Sequence, residues 1–128
     1  MTVDYRQAGD LLEAYAQAFS RADGDAAVEI FARGCVVHLD PFAAPLEGHA
    51  GLRSYLLQLA GERRESELTI ERHWVVGHTV LAAWHASHIQ MPDNARVHLA
   101  GFLTMEVGPD GQVERMRQWW NRRQAVVT

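Results

Sequence analysis

Residues Val97–Arg123 read VHLAGFLTMEVGPDGQVERMRQWWNRR, and their pattern is the clearest indication of the fold. Up to Val107, apolar side chains recur at every second position, which is the period of a strand with one buried face. The Gly108-Pro109-Asp110-Gly111 segment predicts a turn, because proline presets φ and glycine accepts positive φ. A last strand is predicted from Val113 to Arg123, so the whole stretch is typical of an antiparallel hairpin.

Two more period-two segments precede this hairpin. Thr79 to Gln90 predicts one strand, and the chain from Ser66 onward predicts another. The apolar residues that share one parity in the earlier strand are Leu68, Ile70, Trp74 and Val76. A β-rich run over 35–40 comes earlier still and stops at Pro41. The second half of the chain therefore predicts a four-stranded antiparallel meander.

Helical patterns fill the first half of the chain. An apolar stripe with spacings of three and four predicts a helix over 4–22. A short helix capped by Asp23 or Asp25 should follow and end near Gly34, and a third helix should cover 49–60. We expect one α+β domain over 1–128, with three helices packed on the concave face of a strongly curved antiparallel sheet. Such a cone has an open end that suits a small hydrophobic molecule.

Composition and charge exclude several classes of function. The chain has 128 residues, 48% hydrophobic and 22% charged, which is ordinary for a globular domain. Its formal net charge of −4 argues against nucleic acid as a partner. All 12 basic residues are arginine, which excludes a Schiff-base lysine, a pyridoxal-phosphate anchor and a P-loop lysine. The Arg63-Arg64 and Arg122-Arg123 pairs are interpreted as solvated.

Membrane, metal and cofactor signals are also missing from the sequence. No apolar run approaches ~18 residues, and the N-terminal residues lack the apolar core of a signal peptide. The single Cys35 cannot form an internal disulfide, so we expect a cytoplasmic protein. The seven histidines include no His-x-His or His-Glu-x-x-His pattern, and we expect neither a metal site nor a cofactor.

Asp40 is the most informative polar residue. It stands between Leu39 and Pro41 at a strand end, where desolvation would raise the pKa of its carboxyl toward that of a general base near neutral pH. The alternative is a turn aspartate that accepts hydrogen bonds from nearby backbone N–H groups. A pocket base should be buried beside Tyr15, whereas a turn aspartate should be exposed.

Two more side chains are candidates for acid–base work. Tyr15 lies on the apolar stripe of the first helix, where its hydroxyl could donate to a substrate oxygen or could simply fill the core. His85 shares the parity of Leu81 and Ala83. If that parity faces the cone, His85 is an acid–base group inside it, and if not, it is a surface or interface histidine.

The chain resembles the NTF2-like superfamily, in particular its ketosteroid isomerase and SnoaL-like (polyketide cyclase-like) branches. The resemblance spans nearly the whole chain, and its fold markers are the stretch from Gly48 to Tyr55 and the Asp-Gly turn before the last strand. The residues that carry it are Tyr15–Phe19, Asp23–Asp25, Phe31, Asp40-Pro41, Leu46–Tyr55 and Asp110–Val113. These motifs imply the fold and leave the reaction open.

The resemblance to ketosteroid isomerases covers only part of their catalytic set. Asp40-Pro41 matches the aspartate that shuttles the proton, and Tyr15 matches the tyrosine that donates to the dienolate oxygen. The protonated aspartic acid of the penultimate strand is replaced by Leu103. Because one missing oxyanion donor typically lowers the rate by about 10²–10³, a true steroid isomerase is not expected.

The sequence therefore predicts a cofactor-independent isomerase, cyclase or dehydratase acting on a small hydrophobic carbonyl compound such as a polyketide, steroid or terpenoid. The predicted catalytic residues are Asp40 as base, Tyr15 and His85. The predicted substrate contacts are Phe19, Phe42, Tyr55, Leu103, Gln118 and Trp120. The alternative is a non-catalytic binding or accessory protein. Because both faces of the Thr79–Gln90 strand are apolar, a homodimer through the convex sheet face is also expected.

Overall fold

The computed structural model describes residues 2–124 of the chain. Three helices and six strands follow one another, and the α+β class predicted from the sequence is confirmed. The elements are α1 (Tyr5–Ser20), α2 (Gly24–Ile30), β1 (Phe31–His38), β2 (Leu46–Glu47), α3 (Gly48–Glu62), β3 (Arg63–Val76), β4 (Thr79–Gln90), β5 (Ala95–Val107) and β6 (Val113–Gln124).

All six strands join one curved sheet in the order β2-β1-β6-β5-β4-β3. The predicted antiparallel meander β3–β6 is confirmed, but the prediction of a purely antiparallel sheet is wrong, because β1 pairs with β6 in parallel. Without β1, one side of β6 would present unpaired N–H and C=O groups. The first β-rich run therefore completes the sheet.

The first two helices begin at side-chain caps. Asp4 accepts a hydrogen bond from the Gln7 N–H at 2.7 Å, and Asp23 accepts one from the Ala26 N–H at 3.1 Å. The predicted end of the second helix at Gly34 is wrong, since α2 ends at Ile30 and the buried Phe31 already belongs to β1. The β-branched and aromatic character of this segment prevails over its helical spacing.

A β-bulge divides β3 into two halves with opposite facing. Ile70 pairs with Trp84 and Arg72 pairs with Ala83, so the register shifts around Glu71. After the bulge, Trp74 and Val76 face outward with 39% and 69% of their surfaces exposed. The predicted common parity of Leu68, Ile70, Trp74 and Val76 is therefore wrong for its last two members.

In β4, β5 and β6, the inner face consists of the even residues of β4, the odd residues of β5 and the even residues of β6 from Met116 onward. Leu103 pairs with Ala82 on one side and Gln118 on the other. One step toward the sheet's other end, Gly101 pairs with Trp84 and Trp120 in the same way. The prediction that Leu99, Gly101, Leu103 and Met105 face inward is confirmed, since Leu103 and Met105 are fully buried and Leu99 packs on the core.

Candidate functional site

A cavity of about 430 Å³ lies between the inner sheet face, α1, α3 and the segment that joins β1 to β2. Six of the nine predicted site residues line it, namely Tyr15, Phe19, Asp40, Tyr55, Gln118 and Trp120. Their side chains come from two helices, β6 and the segment after β1. The fold thus gathers residues up to 105 positions apart around one space of a size ordinary for small-molecule sites.

Asp40 stands where β1 has ended, and it combines features of both interpretations of this residue. Its Oδ1 accepts a hydrogen bond from the Phe42 N–H at 2.8 Å, which is the contact that a turn aspartate makes. The residue is half-buried and lines the cavity. One carboxylate oxygen therefore holds the turn, and a carboxylate has acceptor capacity beyond that single bond.

Tyr15 is fully buried on α1, and the amide Nε2 of Gln118 donates a hydrogen bond to its phenolic oxygen. Burial raises the pKa of the Tyr15 hydroxyl well above its usual value, nearby Tyr55 raises it further, and the hydrogen bond from Gln118 opposes both effects. Since the oxygen is the acceptor in this contact, its own proton remains available for donation. Tyr15 is therefore a protonated phenol at neutral pH.

Aromatic side chains form much of the cavity wall. Phe19 packs against Tyr15 with the two rings tilted by 34° and their centroids 4.4 Å apart. Trp120 is fixed by its Nε1–H, which donates to the Leu39 carbonyl at 2.7 Å and so ties β6 to the end of β1. Tyr55 contributes a second phenol, and burial raises the pKa of its hydroxyl. These rings offer an apolar surface to an organic molecule.

Three predicted site residues lie outside the cavity lining. The even residues of β4 face inward, so His85 lies on the outer sheet face. There its Nδ1 lies 2.7 Å from Glu71 Oε1. Phe42 is 99% exposed, since the turn after Asp40 directs it to solvent. Leu103 faces inward but is fully buried within the core, so it does not reach the lining.

The lining residues that were not predicted include Arg63, Trp84, His88 and Arg122. The signal for His88 was present, because it continues the parity of Val80, Ala82, Trp84 and Ala86. The interpretation of these arginines as solvated needs correction for Arg63, which is half-buried, whereas Arg122 is exposed as expected but also borders the cavity. A parity count outward from Gln118 and Trp120 would have marked Arg122.

His88 is buried, and its imidazole is uncharged at neutral pH. Its Nε2–H donates to Gln90 Oε1 at 3.0 Å, and the Gln90 amide is oriented by its own Nε2–H bond to the Glu62 carbonyl at 3.2 Å. Burial lowers the pKa of His88, and the charges of Arg63, Arg122 and Arg96 lower it further against the opposing effect of Gln90. The imidazole therefore adds no positive charge to this end of the cavity at neutral pH.

Within residues 2–124, no three His, Cys, Asp or Glu side chains lie close enough together to hold a metal ion. Over the same residues, no helix is long and apolar enough to cross a membrane.

Comparison with known proteins identifies the class of this chain. The SnoaL-like domain family (SnoaL_2) matches residues 12–116, and the chain belongs to this family. The resemblance to the SnoaL-like branch of the NTF2-like superfamily stated from the sequence is thereby confirmed. No curated protein matches the sequence significantly.

Solved structures with similar folds belong to several kinds of enzyme. One is SalBIII, an epoxide hydrolase/cyclase-like enzyme with a role in pyran ring formation in the polyether salinomycin. Its TM-score is 0.81 at 21% identity, and the match covers 92% of this chain and 93% of the SalBIII chain. A Δ5-3-ketosteroid isomerase from Mycobacterium sp. has a TM-score of 0.79 at 15% identity, covering 93% and 98%. An LEH-like epoxide hydrolase from M. tuberculosis has a TM-score of 0.76 at 22% identity, covering 91% and 84%. At these identities the likeness shows a shared fold.

Proposed function

We propose that this protein is a cofactor-independent acid–base enzyme, an isomerase, cyclase or dehydratase, that acts on a small hydrophobic carbonyl compound. Asp40 is its general base and the Tyr15 hydroxyl is the donor to the carbonyl oxygen. The observation that carries the proposal is that a carboxylate and a protonated phenol line one largely apolar cavity. Membership of the SnoaL-like family and the fold shared with an isomerase and a cyclase-like enzyme support it.

The proposed chemistry is proton transfer next to a carbonyl group. Asp40 removes the proton from the carbon beside the carbonyl, and negative charge develops on the substrate oxygen. The Tyr15 O–H donates to that oxygen and stabilises the developing charge, while Gln118 fixes the phenol from its other side. Isomerisation, ring closure and elimination of water can all start from the same enolate.

Exchange of α-protons for deuterium tests this step without knowledge of the natural substrate. 2-Tetralone in D₂O, followed by proton NMR, should exchange faster with the protein than with buffer. Asp40→Asn should lower the rate by about 10²–10⁴, because the base is lost, and Tyr15→Phe by about 10²–10³, because the donor is lost. Unchanged exchange in Asp40→Asn, or no acceleration by the parent, contradicts the proposal.

Asp110 supplies a matched control for Asp40. Its Oδ1 accepts from the Gln112 N–H at 3.1 Å, so it forms the same kind of two-residue turn away from the cavity. Asparagine retains the side-chain acceptor in both turns. Asp110→Asn should therefore leave the exchange rate unchanged.

The second candidate function is small-molecule binding without catalysis. The hydrogen bond from the Phe42 N–H to Asp40 favours it, because it gives this carboxylate a structural task. On this alternative, 2-tetralone binds to the protein, as measured by calorimetry, and its exchange rate stays that of buffer.

A further inference from the structure

Two arginines line one end of the cavity, and within residues 2–124 neither forms an ion pair. Arg63 is half-buried at the start of β3, and Arg122 is exposed near the end of β6. Among residues 2–124, ion pairs of arginine are found for Arg53 with Asp25 and for Arg115 with Glu106, and none involves Arg63 or Arg122. A guanidinium stays charged throughout the range in which proteins fold. This end of the cavity therefore carries fixed positive charge.

The surrounding polar groups leave that charge in place. Arg63 pairs with Gln90 at the end of β4, and Arg122 pairs with Leu99 near the start of β5, so both arginines line the cavity at the end of the sheet where His88 lies. The carboxylates that line the same cavity, Asp40 and Glu67, form no ion pair with either arginine. In addition, the Arg63 Nε is buried without a hydrogen-bond partner within the described part of the chain. Such a donor is a cost to the fold unless another group meets the arginine.

The remaining wall of the cavity is apolar. Its side chains of this kind include Phe19, Leu39, Leu59, Val97 and Leu99. Leu99 pairs directly with Arg122 across β5 and β6, so apolar surface begins beside the guanidinium. A ligand that fits this arrangement has an apolar body and one acidic group at its end. Carboxylate suits the planar fork of arginine best, because two parallel N–H···O bonds form.

We propose that the ligand of this cavity is an amphipathic carboxylate, whose acid group is bound by Arg63 and Arg122 and whose apolar body extends toward Trp84 and Tyr15. The proposal rests on the proposed function for the choice of cavity and adds the charge of the substrate to it. Arg63 and Arg122 are binding residues that fix the orientation of the ligand. Its reactive end then lies toward the phenol of Tyr15.

Calorimetric titration with a pair of isosteric probes tests the proposal. 2-Naphthylacetic acid and 2-naphthylacetamide have the same shape and differ in charge at pH 7.5. The parent should bind the acid at least tenfold more tightly than the amide. Arg63→Gln and Arg122→Gln should each lower the affinity for the acid about tenfold or more and leave that for the amide within twofold.

The neighbouring arginines provide matched controls for the loss of one positive charge. Arg64 donates to the Asn94 side chain at 3.1 Å, and Arg123 is exposed on the outer face, so neither borders the cavity. Arg64→Gln and Arg123→Gln should keep the parent's preference for the acid. Equal binding of acid and amide by the parent, absence of binding by both probes, or an equal loss in all four variants overturns the proposal.

These outcomes are separate from those for the proposed function. Asp40→Asn should retain the preference for the acid, since the anchoring arginines are intact. Preference for the acid without catalysed exchange of 2-tetralone supports the anion site and contradicts the enzyme. Catalysed exchange that depends on Asp40, without any preference for the acid, contradicts the anion site alone.

Discussion

The side-chain amide of Gln118 donates a hydrogen bond to the phenolic oxygen of Tyr15, which joins β6 to α1 inside the molecule across 103 positions of sequence. Gln118 was predicted as a substrate contact. It lines the cavity, and because its buried amide is engaged with the tyrosine, we interpret Gln118 as the residue that positions the phenol. Three-dimensional proximity alone could reveal this pair.

The coupling of Tyr15 and Gln118 should be measurable as stability. Tyr15→Phe leaves a buried amide N–H unpaired and Gln118→Leu leaves a buried hydroxyl unpaired, so each should lower the free energy of unfolding by about 1–3 kcal/mol. The double variant should lose less than the sum, with a coupling of about 0.5–3 kcal/mol. Urea denaturation of the four proteins measures it, and strict additivity would show that the bond contributes nothing.

His88 should make the stability depend on pH. Its pKa in the folded protein lies below the value of 6.5 that applies to an unfolded histidine. As the pH falls below about 6.5, the unfolded chain takes up a proton that folded His88 resists, so the free energy of unfolding should decrease with falling pH. His88→Gln should flatten this part of the profile between pH 5 and 7. An identical slope in the variant is the contradicting result.

Gly101 should tolerate no side chain, because three neighbours crowd the place of a Cβ. A Cβ there would clash with the Trp119 carbonyl oxygen and would lie 2.8 Å from Cζ2 of Trp84 and 2.9 Å from Cβ of Trp120. Gly101→Ala should therefore destabilise the protein by at least about 1–3 kcal/mol, as overpacking does. Gly61 in α3 has nothing within 4 Å and is the control. Gly61→Ala should stabilise by about 0.5–1 kcal/mol in the same urea titration.

Leu103→Asp should supply the acid that ketosteroid isomerase-type relatives carry on the penultimate strand. Position 103 is fully buried, so desolvation should raise the pKa of the new carboxyl above its usual value of about 3.9. A group with a raised folded pKa binds its proton more tightly in the native state. The free energy of unfolding of this variant should therefore decrease as the pH rises above about 4.

The same variant should gain affinity for phenolate mimics. A protonated carboxyl next to Gln118 adds a donor near Tyr15, and donors in a dry site favour an oxyanion. Titration with 2-naphthol compares the variant with the parent. Equal affinity would show that position 103 is too far from the bound ring to act.

The outer sheet face should pair two copies of the chain. Trp74 and Trp119 are 39% and 42% exposed there, and Trp74 lies 6.0 Å from Phe102 between ring centroids. Light scattering at micromolar concentration should return twice the chain mass of 14.4 kDa. Trp119→Arg should shift the mass toward a single copy, and a parent mass of 14.4 kDa would refute the dimer.

The sequence contained most of the fold because its strands have a clear period of two. It located β4, β5 and the turn at Gly108–Gly111, and the inward parity of β5 was correct. It could not decide which parity of β4 faces inward, because both parities are apolar. For this reason His85 was named as a candidate site residue, whereas His88, which has the inward parity, was not. The partner of β1 also escaped prediction, since parallel pairing of distant strands has no local signal.

The candidate site residues could be predicted where a polar side chain stands among apolar neighbours in the sequence. They could not be predicted where the backbone conformation determines the direction of the side chain. Asp40 and Tyr15 were recognised as polar groups among apolar neighbours. Phe42 was expected to contact a substrate because it is aromatic. Its backbone N–H instead donates to Asp40 in a turn that leaves the Phe42 side chain in solvent. Such a turn depends on dihedral angles that residue types alone do not specify.

The bulge around Glu71 also limits how this protein can change its length. Upstream of it, β3 contributes Leu68 and Ile70 to the core, and downstream the inward positions belong to His73 and Val75. Removal of one residue here would shift the phase of the pleat, so that Trp74 would have to fit beneath α1 and Val75 would meet water. Deletion of the exposed Glu71 would therefore turn the inward side chains of the second half of β3 outward, and its outward side chains inward. The residue type at position 71 can change, but a residue must be present there to keep the two halves of β3 in register.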